Sequence, residues 1–431
     1  MSSVTDRTLP LSAIATRRFG KLQWTAARAV LIGAVVFALL PLFAGEYWLN
    51  AVLIPFLAMS LAGIGLNLLM GYTGQASLGT GAFMAVGTYA TYNFLLRVPE
   101  LPLPISLVLG GLVAAGAGVI FGLPSLRIKG FYLLATTLAA QFFLEWMFNQ
   151  YGWFSNYSTS NSISAPHLVF LGRDLSGPVG RYYLTLATVA LLTITAVNIV
   201  RSQTGRNWMA IRDMDTAAAV IGIPVAANKL LAFAVSSFYC GIAGALWAFA
   251  YLGTVDARSF NLDRSFQVMF VIIIGGMGSI AGNFVGAAFI LLLPILIDHL
   301  AGSAFGNLIE AGQLENLQKV LFGSLIIYLL IKEPAGLTAL FGRLRRKLVF
   351  PPRRADEPAH SSNQPTNERN DHVLSIVASA ERCCGGGTQH CCNSRTDSAV
   401  GRLAQRAVYS ARHLPCRRLR IERHSALGRH H

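Results

Sequence analysis

Residues 66–90 read LNLLMGYTGQASLGTGAFMAVGTYA. The stretch closes one long apolar run and opens another, and between the two stand Gly71, Gly74, Gly79 and Gly81. Glycine disfavours a helix interior by about 1 kcal/mol relative to alanine, so such a cluster marks unwinding or very close packing. In lipid, non-helical backbone is tolerated only where protein buries it or where it lines a wet cavity. Tyr72, Thr73, Gln75 and Ser77 add hydrogen-bonding groups that close packing does not require. An apolar helix, a polar glycine break including Gly74, and a second apolar helix together read as part of a transport pathway through a membrane.

Outward from this stretch the same grammar repeats. Only 13% of the 431 residues are charged, against about 25% in an ordinary soluble domain. Apolar runs long enough for a bilayer, which needs about 20 residues per helix, recur about ten times. They are expected near Thr25–Phe43, Leu49–Met70, Ala82–Leu96, Ile105–Phe121, Phe131–Met147, Tyr182–Val200, Leu230–Leu252, Phe266–Ile274, Gly282–Leu300 and Leu317–Ile331. The eighth is too short to span alone. It is either extended by Gly275–Ile280 or a re-entrant half-helix. The fold class is therefore all-α, a polytopic transmembrane bundle of about ten spans, with glycine-interrupted helices.

A second break holds Gly275, Gly276, Gly278, Ser279 and Gly282 ahead of Gly286. Interrupted hydrophobic segments at corresponding places in two halves point to a binding pathway. The other reading is close helix packing of the small-xxx-small kind, with Gly282 and Gly286 as its example. Both stay open for this break.

The net charge of +15 raises nucleic acid as a partner, but the distribution speaks for topology and no nucleic-acid partner is expected. Basic residues cluster at segment ends, as the positive-inside rule requires. With a cytoplasmic N-terminus, Arg127, Lys129, Arg201, Arg206, Arg212, Lys229, Lys332, Arg343, Arg345, Arg346 and Lys347 fall inside, and the C-terminus is cytoplasmic too. Arg97, Arg173, Arg181, Arg258, Arg264 and Lys319 run against the bias without cancelling it. The stretch Tyr151–Ser164 is rich in Ser, Asn and aromatics and reads as an outer loop with an interfacial belt, or as a contact for a substrate-delivering partner. Glu145, Asp298, His299 and Lys319 are the ionisable residues within or beside apolar runs, and all lie near segment ends.

Between two of the spans, residues 205–224 read GRNWMAIRDMDTAAAVIGIP. A short amphipathic helix from about Trp208 is followed by a second from Asp215, which can cap it. Gly222 and Pro224 then stop it. Alanines on one face let such a helix sit deep in a partner's groove. A connector is the plain reading, and the position between spans with basic flanks makes it a docking element.

Of six cysteines only Cys240 lies in the apolar body, so no disulfide framework supports the fold. Composition shifts abruptly after about Pro351, where Arg and Cys accumulate. The adjacent pairs Cys383-Cys384 and Cys391-Cys392 with His390 fit zinc spacing poorly, so no metal and no cofactor are expected. The chain divides into an N-terminal cytoplasmic segment (1–24), a transmembrane domain (25–345) and a disordered Arg/Cys-rich tail (346–431). Truncation after Arg346 is expected to leave transport unchanged.

Four stretches carry a family resemblance: residues 66–90 above, LRIKGFYLLATTLA, GRNWMAIRDMDTAAAVIGI followed by KLLAFAVSSFYCGIAGALWA, and VIIIGGMGSIAGNFVGAAF. In this order they resemble the permease subunits of branched-chain amino acid ABC importers, over about residues 25–345. The resemblance implies an inner-membrane importer of small amino acids. It implies a second permease, expected to be a paralogue in a heterodimer, ATP-binding subunits, and a periplasmic amino-acid-binding protein. It also implies that Thr216–Gly222 is the coupling helix, with Asp215, Thr216, Ala217, Ala218 and Gly222 facing the ATPase. The family motif begins with an acidic residue where Thr216 stands here, with Asp215 one residue earlier. No GxxxxGK[ST] phosphate loop occurs, so hydrolysis is assigned to partner subunits and this chain is expected not to be an enzyme. Related urea or short-amide importers share the pattern. An ion-coupled secondary transporter is the alternative from another class, and a passive channel, which needs no docking helix, a further one.

Overall fold

The computed structural model describes residues 45–98, 100–126, 131–158 and 177–305, with short pieces elsewhere (33, 35, 37–42, 162–164, 169–170, 173–174, 320, 323–324, 327 and 336–337). All belong to the unit Met1–Arg353, and Arg354–His431 forms a separate unit that contains none of them. The expected N-terminal segment, most of the first and tenth spans, Arg127, Lys129, Lys319 and the tail lie outside the described residues, as do the side chains of Asp298 and His299.

Ten helices organise the rest. Helix α1 (Glu46–Thr73) is 28 residues long, roughly 42 Å at 1.5 Å per residue. It carries a π turn over Leu49–Leu53 just where Pro55, lacking an amide hydrogen, joins the helix. Apolar residues surround it on all sides, and almost every residue from Ile54 to Thr73 is buried, so α1 runs through the middle of the bundle. Helices α2 (Thr80–Arg97), α3 (Leu103–Gly122) and α4 (Phe131–Gln150) follow. Then come α5 (Pro178–Arg201), α6 (Gln203–Asp213), α7 (Asp215–Val220) and α8 (Val225–Leu252). Helices α9 (Leu262–Gly275) and α10 (Ile280–Phe305) complete the described part.

Five of these, α1, α3, α5, α8 and α10, are long and apolar enough to cross a membrane. Helices α2 and α4 coincide with two further expected spans but carry more polar residues. The short eighth segment proves to be a half-helix: α9 has 14 residues, roughly 21 Å, and ends at Gly275 without extension. The all-α expectation holds apart from four two-residue strands in the connectors. Ile163–Ser164 pairs antiparallel with Thr254–Val255, and Val169–Phe170 with Arg173–Asp174. Part of the Tyr151–Ser164 connector is anchored rather than free. The Arg97 guanidinium lies 3.8 Å above the Trp153 ring, and Asn93 donates to the Phe154 carbonyl at 3.3 Å.

Small residues let the central helices touch backbone to backbone. A Cβ on Gly87 of α2 would lie 2.2 Å from the Gly241 Cα of α8, and one on Gly244 would lie 2.3 Å from the Met84 carbonyl oxygen. Several hydroxyls inside the bundle are satisfied within their own helices, as a water-free surrounding favours. Ser60 donates to the Phe56 carbonyl at 2.7 Å, Thr88 to that of Met84 at 2.8 Å, and Thr193 to that of Val189 at 2.7 Å.

Candidate transport and docking site

The two glycine breaks, about two hundred residues apart in sequence, meet. Asn67, fully buried nearly two turns before the end of α1, is the residue that joins them. Its amide nitrogen donates to the Ser279 carbonyl at 3.1 Å and to Asn283 Oδ1 at 3.0 Å. Its oxygen accepts from the Gly278 amide at 2.9 Å. Gly71 is packed against the same place: a Cβ there would lie 2.6 Å from the Gly278 nitrogen.

Only part of each expected break is unwound. Gly71, Tyr72 and Thr73 still belong to α1, and Thr80 and Gly81 to α2, so the first break is residues 74–79. Gly74, at φ 71°, adopts the left-handed conformation that ends α1. The second break is residues 276–279, where Gly276 and Gly278 have φ of 109° and 79°. Gly275 and Gly282 lie in α9 and α10 and press on each other: a Cβ on Gly275 would be 2.1 Å from the Gly282 oxygen. A Cβ on Gly286 would likewise be 2.0 Å from the Val271 oxygen. The second break thus combines unwound backbone at 276–279 with close glycine packing around it.

The first break runs alongside α9. Gly71 abuts Gly278, just past the C-terminus of α9, whereas the Gly81 amide donates to Ser265 Oγ in its first turn at 2.8 Å. The interval Ser265–Gly275 rises roughly 15 Å, and residues 74–79 cover it in open chain. The first amides of α2, which no helical carbonyl can satisfy, are met by side chains of other helices. Gln141 of α4 accepts from Ala82 at 2.6 Å and from Ser265 Oγ at 3.1 Å, and donates to the Phe260 carbonyl at 2.7 Å. Thr137 accepts from the Leu78 amide at 3.1 Å.

Tyr72, Thr73, Gln75 and Ser77 are all buried, and Gly74 is exposed. Thr73 donates to the Leu69 carbonyl, and Gln75 donates to Thr73 Oγ1 at 3.1 Å and to the Lys229 carbonyl at 3.5 Å. Two buried polar atoms at the breaks, Gln75 Oε1 and Asn283 Nδ2, have no hydrogen-bond partner among the described residues. Such atoms are uncommon in native interiors and mark places that need an explanation. Tyr72 and Ile280, one from the edge of each break, also line an apolar cavity of about 480 Å³ with Leu57, Val189, Thr193 and Phe284.

Helices α6 and α7 form a kinked element at the end of the bundle where α1 finishes. Gly205 lets α6 fold tightly back on α5, since a Cβ there would lie 2.1 Å from the Val200 oxygen. Trp208 and Ile211 fasten α6 to the body, and the Trp208 ring nitrogen donates to the Asn228 carbonyl at 3.1 Å. The chain kinks at Met214, which is extended at φ −161°, ψ 101°. The N-cap of α7 is thus Met214, and Asp215, expected to cap, is the first helical residue instead. Its carboxylate pairs with Lys229 Nζ at 2.7 Å, in the first turn of α8. Gly222, at φ 86°, terminates the element ahead of Pro224.

The two faces of α7 differ sharply. Ala218 is 2% exposed and packs inward. Thr216, Ala217 and Gly222 are exposed, and so are Val220 at 88% and Ile221 at 72%. Of the alanines expected to face a partner, Ala217 is exposed and Ala218 is buried. A six-residue helix cannot turn neighbouring positions to the same side. Sequence reasoning passed over Val220 and Ile221, although two apolar residues just ahead of a glycine stop were the available signal. It also passed over Asn67, Gln141, Ser265 and Asn283, whose amides and hydroxyls inside apolar runs were the sign of them.

A family model described as "Branched-chain amino acid transport system / permease component" matches residues 48–330. The high-affinity branched-chain amino acid transport system permease protein LivM of Salmonella typhimurium is 28% identical over 310 residues, covering 64% of this chain and 67% of its own. The probable branched-chain amino acid transport permease protein LivM of Methanocaldococcus jannaschii is 26% identical over 294 residues, covering 65% and 81%. The autoinducer 2 import system permease protein LsrC of an Enterobacter species is 28% identical over 208 residues, 47% of this chain and 54% of that one. No solved structure matches the chain.

Proposed function

Because the chain belongs to the family of branched-chain amino acid transport system permease components, multi-pass proteins of the inner membrane and not themselves enzymes, we propose that it imports branched-chain or related small amino acids, driven by separate ATP-binding subunits. The observation that carries this reading is the exposed apolar tip of α7 on an element bonded to the end of α1, next to the first glycine break. A helix that offers Ala217, Val220 and Ile221 to water has surface to give to a partner.

On this reading α7 faces the cytoplasm and is the coupling helix, with Thr216, Ala217, Val220, Ile221 and Gly222 in contact with an ATP-binding subunit. Asp215 and Ala218 hold the helix to this chain rather than meeting the partner. A second permease, a paralogue, completes the membrane part, and a periplasmic binding protein delivers substrate at the opposite end. The N- and C-termini are cytoplasmic, and the segment after Arg346 is dispensable for transport.

Substrate passes along the two breaks, by Tyr72, Thr73, Gly74, Gln75, Ser77, Gly275, Gly276, Gly278 and Ser279, when these part. The unpartnered Gln75 Oε1 and Asn283 Nδ2 support a polar lining, and the apolar cavity beside Tyr72 suits a branched aliphatic side chain. Proton coupling relies on an ionisable group in the transport path. Among the described residues no carboxylate, lysine, arginine or histidine is buried, which speaks against proton coupling.

The reading is tested by ATP hydrolysis in a reconstituted complex of this chain, its second permease and the ATP-binding subunits. Leucine-loaded binding protein is expected to raise the hydrolysis rate, and empty binding protein to raise it less. A rate indifferent to both would remove the delivery step from the account.

A further inference from the structure

Arg212 is the last basic residue of α6, and its guanidinium leaves that helix for the end of another. Its Nη1 donates to the Gly71 carbonyl at 2.5 Å, across 141 positions of sequence. Gly71 lies in the last turn of α1, where carbonyls lack helical partners and the helix dipole favours a cation. The α1 end is otherwise closed on itself, with the amides of Gly74 and Gln75 and the hydroxyl of Thr73 all directed to the Leu69 carbonyl. The Gly71 carbonyl is thus the point on this helix end that α6 holds.

The same guanidinium reaches the second break. A Cβ added to Gly278 would lie 3.4 Å from Nη1, and one added to Gly74 would lie 3.3 Å from Arg212 Cγ. One side chain therefore stands against Gly71 at the end of α1, Gly74 of the first break and Gly278 of the second. It does so two residues before the Met214 kink that opens α7. Across the kink, Asp215 ties α7 to α8 through Lys229. The α6–α7 element is thus fastened on each side of its kink: Lys229 leads on to Gln75 through its carbonyl at 3.5 Å, and Arg212 bonds directly to the end of α1.

We propose that Arg212 is a positioning residue that transmits the movement of α7 to the joint of the two glycine breaks. The proposal rests on the reading of α7 as the docking helix. A displacement of α7 acts through a one-residue lever on Arg212, and the guanidinium pulls the Gly71 carbonyl relative to the Asn67–Gly278–Asn283 contacts. Because the acceptor is backbone, the bond is held to the position of α1 itself and not to the rotamer of an α1 side chain. Arginine suits the task better than lysine, since its planar fork holds direction as well as charge.

The test compares Arg212→Gln and Arg212→Lys in the complete transporter, measuring copurified ATP-binding subunit, basal ATPase rate, and ATP hydrolysed per leucine imported. For Arg212→Gln, assembly and basal hydrolysis are expected to stay at the parent level. ATP hydrolysed per leucine is expected to rise about tenfold, the scale on which residues between two coupled sites alter their coupling. Arg212→Lys is expected to recover part of the loss, because an ammonium still reaches the carbonyl. An unchanged ratio in Arg212→Gln would overturn the proposal. So would a proportional fall of all activities with the amount of folded protein, which marks a merely structural residue. If the ATP-binding subunit fails to copurify with the parent chain, it is the docking reading that fails, and the two failures are thereby told apart.

Discussion

Arginine introduced together at Ala217 and Val220 is expected to abolish both copurification of the ATP-binding subunits and leucine uptake, while the chain itself remains folded and inserted. Both positions are exposed, Val220 at 88%, so a long side chain at either has open space among the described residues. In a partner's groove shaped for a methyl and an isopropyl group, two guanidinium groups bring steric overlap and unpaired charge. Losses of about 4 kcal/mol at such central positions amount to about a thousandfold in affinity. Size-exclusion chromatography in detergent checks that the variant remains monodisperse, and pull-down of the ATP-binding subunit measures the loss. Ala218→Arg provides the contrast. That residue is buried, so its substitution is expected to disrupt the fold before docking is tested. Undiminished copurification of the Ala217→Arg/Val220→Arg chain would remove α7 from the interface.

The second large effect is expected where α2, α3 and α8 cross. A side chain on Gly87 would drive into the Gly241 backbone, with its Cβ 2.2 Å from Cα and 2.4 Å from the oxygen. Gly110 of α3 is as confined, its added Cβ 2.0 Å from Thr91 Oγ1. No rotamer relieves a clash between Cβ and backbone, so the helices must separate. Overpacking by smaller amounts already costs about 1–3 kcal/mol, and whole-domain stability is only about 5–15 kcal/mol. Gly87→Leu is therefore expected to yield aggregated protein in detergent chromatography. Gly116→Leu on α3 is the matched control, because a Cβ there meets nothing within 4 Å. That variant is expected to remain monodisperse, with the melting temperature of the parent or slightly above it, since glycine costs a helix about 1 kcal/mol relative to alanine. Similar behaviour of the two variants would contradict the crossing described here.

Gly116 and Gly87 are indistinguishable as letters in an apolar run, and their contrast shows where sequence reading stops. Helix positions follow from local composition, so α1, α3, α5, α8 and α10 were legible within a few residues. The half-helix character of α9 was legible as one of two options, because Gly275 and Gly276 follow too short an apolar run. The kinked α6–α7 element could be read from Gly205, Asp215, Gly222 and Pro224, each acting on its own neighbourhood. What was hidden depends on pairing across long separations. Asn67 and Asn283 are ordinary polar residues in apolar runs until the fold brings them to 3.0 Å. Arg212 read as one more basic residue of a cytoplasmic flank, and its bond to Gly71 follows only from the way Trp208 seats α6 against α8. Asp215 was assigned to capping because local rules favour it, and Lys229, fourteen residues on, takes the carboxylate instead.

The central claim is that this chain forms the membrane path of an ATP-driven amino acid importer. It is tested most directly by uptake of radiolabelled leucine into proteoliposomes holding this chain, its second permease and the ATP-binding subunits, with binding protein outside. The account predicts accumulation only when ATP is enclosed, unaffected by collapsing proton and sodium gradients. Accumulation without ATP-binding subunits, driven by an imposed ion gradient, would contradict it.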